Sequence, residues 1–126
     1  MKILSIVDSA YRATIEEQDD TILWICTAMK GAGSDTSVLL RGNAVNYAVK
    51  GQDASGLVFG TKAQTKPPQL DQDVKRLLDR GVEVFVVQDD VAERGLEGSD
   101  LIDGLTMTPK SKLASLMDAH DLVWHW

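Results

Sequence analysis

The stretch that most narrows the folds open to this chain is Gly81 to Leu96, GVEVFVVQDDVAERGL. Val82, Val84, Val86 and Val87, with Phe85 among them, form a short β-branched and aromatic run, the composition of a strand buried on both faces. Gly81 suits the left-handed position that ends a preceding helix. Gln88, Asp89 and Asp90 then read as a polar loop, and Val91 to Arg94 as a helical turn that Gly95 stops. A polar loop at the carboxyl end of a buried strand is where open α/β sheets place their ligands, so one wall of a site is expected here.

The rest of the chain alternates in the same way. Ile3, Leu4, Ile6 and Val7 read as a first buried strand, followed by a loop from Asp8 to Arg12. The pattern predicts a helix from about Thr14 to Lys30 with Glu16, Glu17, Asp19 and Asp20 towards its positive end. Ile15, Ile22, Cys26 and Met29 share its buried face, Trp24 and Ile25 widen it, and Gly31-Ala32-Gly33 ends it. Ser37 to Arg41 reads as a second strand, then Ala44 to Lys50 as a short helix after Gly42-Asn43. Gln52 to Lys66 has no assignable pattern around one apolar patch, Leu57-Val58-Phe59; such a loop is often functional. After Pro67-Pro68, the residues Leu70, Val74, Leu77 and Leu78 lie on one face of a helix that leads into the central strand. Beyond it, Ser99 to Asp103 reads as a helical turn and Gly104 to Met107 as a strand. Thr108 is expected to cap a helix with Pro109 at its first position and Leu113, Leu116 and Met117 on its apolar face. Leu122 to Trp124 is a last strand. Strands alternating with helices predict a three-layer α/β/α domain over residues 1–126, with an open, mainly parallel sheet of about five strands, as in flavodoxin-like and Rossmann-like topologies.

A net charge of −6 makes the chain a poor nucleic-acid binder, since phosphate contacts need clustered cations, and the only dense cationic segment, Lys62 to Lys66, lacks interleaved aromatics. The single cysteine, Cys26, excludes an internal disulfide and any multi-cysteine metal site. MKILSIVDS lacks the pattern of a secretory signal, and no segment has the roughly 18 apolar residues of a membrane span. A cytoplasmic protein without membrane attachment is the expectation.

Four loops are predicted to meet at the carboxyl edge of the sheet: Asp8 to Arg12, Arg41 to Asn43, Gln88 to Asp90, and Thr106 to Thr108. They would line a polar cleft with Asp8, Ser9, Arg41, Asn43, Gln88 and Asp89; the alternative is that these are solvated turn residues. Gly56 to Lys62 departs from a phosphate loop in both glycine spacing and the order Thr-Lys, and no GxGxxG follows the first strand. Cys26, on a buried helix face, reads as a small hydrophobe before it reads as a nucleophile. His120 and His125 end different elements and do not form a zinc pair, and Asp89-Asp90 alone does not make a cation site, so neither metal nor cofactor is expected. Trp124 and Trp126 share one face of the last strand and read either as a subunit contact or as core.

Taken together, VEVFVVQDDVAERGLEG and LASLMDAHDLVWHW resemble the DsrE/DsrF/DsrH-like proteins of sulfur relay, and the DsrH/TusB branch most. The likeness rests on Asp89-Asp90, Arg94-Gly95-Leu96, His120 and Trp126, on Ser9-Ala10-Tyr11-Arg12 near the N-terminus, and on Leu39 to Val45 after the second strand. The resemblance implies a DsrE-like fold and persulfide trafficking towards tRNA thiolation or sulfur oxidation. It also implies assembly, either as a homo-oligomer (dimer, trimer or hexamer) or with DsrE/DsrF-like subunits. In the sulfur-carrying branch a cysteine ends the central strand; the spacing to Gly95 puts Val87 at that position. A non-catalytic assembly subunit is therefore the first expectation. The alternatives are a sulfurtransferase that carries persulfide on Cys26, or a small-molecule-binding domain that uses the Asp8, Arg41 and Gln88 cleft.

Overall fold

The structure, a computed structural model, describes residues 1–11, 16 and 19–126. In chain order its elements are β1 (Lys2–Val7), α1 (Thr21–Gly31), β2 (Asp35–Leu40), a 3₁₀ helix (Gly42–Ala48), β3 (Val58–Phe59), β4 (Lys62–Ala63), α2 (Leu70–Asp79), β5 (Glu83–Val87), α3 (Gln88–Glu93), β6 (Thr106–Thr108), α4 (Leu113–Asp118) and β7 (Leu122–His125). Five of the strands form one parallel sheet in the order β6-β5-β2-β1-β7. The apolar runs that predicted buried strands are its three inner members.

Helices cover both sheet faces, which gives the expected three-layer α/β/α fold. On one side α1, α2, α3 and the 3₁₀ helix pack on Val7, Val38, Leu40, Val84 and Val86. On the other, Leu113 of α4, with Leu116 and Met117, packs on Leu4, Ile6, Leu39 and Val87. The predicted face of α2 holds: Leu70, Val74 and Leu77 are buried and Leu78 half-buried, each full burial stabilising by roughly 1.5–3 kcal/mol. Gly81 adopts φ +80, as the helix stop before β5 requires. Among the described residues no helix is long and apolar enough to cross a membrane.

Several boundaries differ from the sequence pattern. α1 begins at Thr21, not near Thr14, because the Asp20 side chain caps it, accepting from the N–H groups of Ile22 (3.0 Å) and Leu23 (3.1 Å). Thr14, Ile15 and Glu17 lie outside the described residues, as does Arg12 in the loop after β1. Trp24 does not widen the buried face of α1; it is 55% exposed, and Ile25 is half-buried. The segment after β2 is a 3₁₀ helix that stops at Ala48, because Val49 turns extended to bridge Leu101. Gln52 to Lys66 contains a small antiparallel hairpin, β3-β4, turning at Gly60 with φ +63, and its Leu57, Val58 and Phe59 are exposed. Thr108 is no helix cap: it ends β6, its hydroxyl bonds the Thr106 carbonyl (3.3 Å), and a 3₁₀ turn, Lys110–Lys112, precedes α4.

Candidate functional site

The carboxyl edge of a parallel sheet collects the loops that follow its strands. At the β1, β2 and β7 ends three polar side chains meet. The Arg41 N–H continues the ladder by bonding the Val7 carbonyl (3.0 Å), which aligns its side chain with Asp8. Arg41 Nη2 lies 3.3 Å from Asp8 Oδ2 and 2.9 Å from His125 Nε2, and that same His125 nitrogen is 3.4 Å from Asp8 Oδ2. A guanidinium only donates, so the Arg41 contact requires a lone pair on His125 Nε2 and the proton on Nδ1. The backbone N–H groups of Asp8 (3.0 Å) and Ser9 (3.2 Å) both bond the Trp126 carbonyl, tying the loop after β1 to the end of β7. Gly42 stands behind Asp8 at φ +58, where a Cβ would collide with Asp8 Oδ1, and its N–H bonds Asp90 Oδ2 (2.8 Å). The side chains of Asp8 and Arg41 are partly exposed, so their ion pair adds at most about 1 kcal/mol.

The other predicted cleft residues do not join this group. Asn43 Oδ1 accepts from Arg94 Nη2 (2.8 Å), while Arg94 Nη1 bonds the Asp90 carbonyl (3.0 Å). Asp89 Oδ1 accepts the Lys110 N–H (2.8 Å), closing the end of β5 against the approach to α4. Gln88 is exposed. The structure thus brings Asp8 and Arg41 together with His125, which the sequence reading left outside both a zinc pair and the cleft, while Ser9 joins only through its backbone N–H. The missing signal was that β7 pairs with β1, with His125 opposite Ile6.

Val87 and Arg41 each follow the last paired residues of their neighbouring strands, Val86 and Leu40. Despite that adjacency, Val87 is fully buried among Leu4, Ile6, Leu39 and Leu113. Cys26 is equally buried in the opposite layer, and burial pushes its thiol pKa up, away from the thiolate that sulfur chemistry needs. His120 is committed to its own helix through Nδ1 and the Leu116 carbonyl (2.8 Å). Trp124 and Trp126 share a face as expected, their rings edge to face at 6.3 Å. Trp126 packs against the core, whereas Trp124, Leu122 and Val123 are exposed along β7, an edge strand whose outer backbone faces away from the sheet. Among the described residues no group of three His, Cys, Asp or Glu side chains is placed to hold a metal ion.

The DsrE/DsrF-like family matches the chain over residues 1–124. No curated protein sequence matches it. Among solved structures it is similar to the ychN protein of E. coli, with 20% identity and a TM-score of 0.75 over 99% of this chain and 98% of that one. It is also similar to a conserved protein of unknown function from Bacteroides thetaiotaomicron, with 15% identity, TM-score 0.67 and coverage of 99% and 95%. A third, of unknown function, from Methanobacterium thermoautotrophicum has 12% identity, TM-score 0.62 and coverage of 99% and 98%. At these identities the three structures speak to the fold.

Proposed function

The chain belongs to the DsrE/DsrF-like family, and from that premise we propose that it is a sulfur-relay subunit acting by assembly, in the manner of the DsrH/TusB branch, without carrying the persulfide itself. The observation that carries this reading is the state of its only thiol. Cys26 is fully buried with a raised pKa, and a sulfur carrier needs an accessible thiolate. Val87, at the strand end where the resemblance places the family cysteine, has no group that bonds sulfur. The proposed surface is the β7 edge, where Leu122, Val123 and Trp124 lie exposed on a strand that, among the described residues, has a strand partner on one side only, a combination that proteins normally cover with a partner. The partner is a second copy of the chain or a cysteine-bearing relative, and the sulfur passes towards tRNA thiolation or sulfur oxidation.

Intact-mass spectrometry after incubation with an active cysteine desulfurase and cysteine tests the reading, with Cys26→Ser as control. The expected result is no added mass; a gain of one sulfur that the control lacks assigns the carrier role to Cys26 and overturns it. Light scattering tests the surface. Trp124→Ala is the variant to use, because Trp126 also packs on the core; it is expected to lower the molar mass of the assembly, alone or mixed with a cysteine-bearing relative. An unchanged mass removes β7 as the interface.

A further inference from the structure

α1 starts at a knot of buried acids. Asp20 and Asp73 are each only 2% exposed. The Asp20 N–H donates to Asp73 Oδ2 (2.9 Å), which fastens the start of α1 to α2. While Asp20 Oδ1 caps α1, its Oδ2 accepts the Tyr47 hydroxyl proton (2.9 Å). Tyr47 Oη in turn accepts the Tyr11 N–H. α2, the α1 cap, the 3₁₀ helix and the loop after β1 are therefore joined in series. Tyr11 sits at φ +60, a left-handed conformation that a bulky residue keeps only where its surroundings hold it. The same loop carries Asp8 and Ser9.

The charges of this knot do not balance. Asp19 and Asp20 face Asp73 from the start of α1, Arg76 from its own helix, and Lys66 from across a polar cleft of about 340 Å³ that Gln69 and Gln72 also line; Tyr47 enters through Asp20. Arg76 bonds Asp19 and comes within 3.6 Å of Asp73 Oδ1, too far for a hydrogen bond, which leaves that buried oxygen without a donor among the described residues. Two carboxylates, Asp19 and Asp73, share one guanidinium, and with Asp73 out of water and one of its oxygens lacking a donor, keeping one proton is favoured. The carboxyl that keeps it is Asp73. Burial first, and then the neighbouring Asp19, push its pKa up to about 7, against the Asp20 N–H and Arg76, which pull it down.

We infer that Asp73 is a proton-operated latch: protonated, it accepts the Asp20 N–H without repelling Asp19, holds the start of α1 on α2 and, through Asp20 and Tyr47, fixes the Tyr11 loop beside the Asp8–Arg41–His125 cluster; ionised, its buried charge beside Asp19 outweighs the firmer Asp20 N–H bond, draws it towards water and loosens these contacts. The direction follows from linkage. A carboxyl whose folded pKa lies above its ordinary 3.8 binds its proton more tightly in the folded state. The stabilisation is complete below the ordinary value and is lost as the pH rises from there through about 7. The cleft beside Asp73 gives the ionised carboxylate a route to water.

Amide hydrogen exchange at Ile22, Leu23 and Tyr11 tests the latch, with wild type compared to Asp73→Asn. Asparagine keeps an acceptor for the Asp20 N–H and cannot ionise. Between about pH 6 and pH 8 the ratio of wild-type to variant exchange rates is expected to rise about tenfold at these three amides and to stay level at Val38 in the inner sheet. Rates that rise in parallel in both proteins overturn the proposal. Should Asp73→Asn not fold, the wild-type protein decides alone. The Asp73 carboxyl carbon shift and the Tyr11 amide shift are expected to titrate on one curve near neutrality, and an Asp73 that titrates in the ordinary carboxyl range, or a Tyr11 that does not follow it, overturns the latch.

Discussion

Two ends of the same sheet edge, one strand apart, have opposite characters. At the end of β5, Val87 is sealed under Leu113, and Asp89 and Lys110 draw the chain closed above it. At the ends of β1, β2 and β7, Asp8, Arg41 and His125 stand partly open to water and bond one another across three strands. A parallel sheet puts both ends where ligands are usually received, yet at the β5 end the Asp89 side chain closes on the Lys110 N–H over a buried valine, whereas at the other end partly exposed charged side chains meet. The comparison teaches that the carboxyl end of β5 is taken up by the core at Val87 while the charged group one strand away stays partly open to water. A protein arranged in this way is better suited to contact than to covalent catalysis, which is the reading proposed above.

The sharpest way to break the comparison is to put a charge at the sealed end. Val87→Asp buries a carboxylate among Leu4, Ile6, Leu39 and Leu113 with no partner, a change expected to cost more than about 4 kcal/mol. Urea unfolding is expected to show a collapse of the midpoint or no folded protein at all. A midpoint near that of the wild type would mean that this end is open to water. A smaller effect is expected from Gly42→Ala at the open end. The added Cβ meets Asp8 Oδ1 and the left-handed backbone disfavours any side chain, so about 2 kcal/mol is expected, together with loss of the Asp8–Arg41 contact. If stability is unchanged, Gly42 does not set the position of Asp8.

At the sealed end the strand was legible in the sequence but the polar loop expected at Gln88 to Asp90 is the start of α3, and half of the open end was not legible either, for a physical reason. Burial on both faces selects β-branched and aromatic residues in an unbroken run, so β1, β2 and β5 declare themselves locally, as does α2 through Leu70, Val74 and Leu77. The loops after those strands, with Asp8, Ser9 and Arg41, follow from the parallel order alone. His125 does not, because its partner Arg41 is 84 residues away and the pairing of β7 with β1 is a long-range choice. The start of α1 was misplaced for the same kind of reason. Apolar spacing carries the helix back to Ile15, but Asp20 is held by partners 27 and 53 residues distant, Tyr47 and Asp73, and those bonds decide where the helix begins. Trp24 was assigned to the core because a large aromatic next to a buried stripe is ordinarily part of it; its exposure is a property of what does not pack there.

The finest test of the contrast lies in His125. At the sealed end every atom removed leaves a cavity, but at the open end the side chains are solvated and their loss is replaced by water. His125→Ala is therefore expected to change stability by less than about 0.5 kcal/mol in urea unfolding, although it removes a contact of 2.9 Å to Arg41. What the histidine contributes is direction. With Nε2 accepting from Arg41, the neutral ring carries its proton on Nδ1, and nitrogen chemical shifts are expected to show that tautomer in the wild type and to lose it in Arg41→Met. A ring protonated at Nε2 would instead pair with Asp8 Oδ2 at 3.4 Å and leave the guanidinium with Asp8 alone. In that case Asp8 is shared by a guanidinium and a histidine N–H, with one donor direction of Arg41 turned to solvent, and a ligand there is favoured over a closed contact.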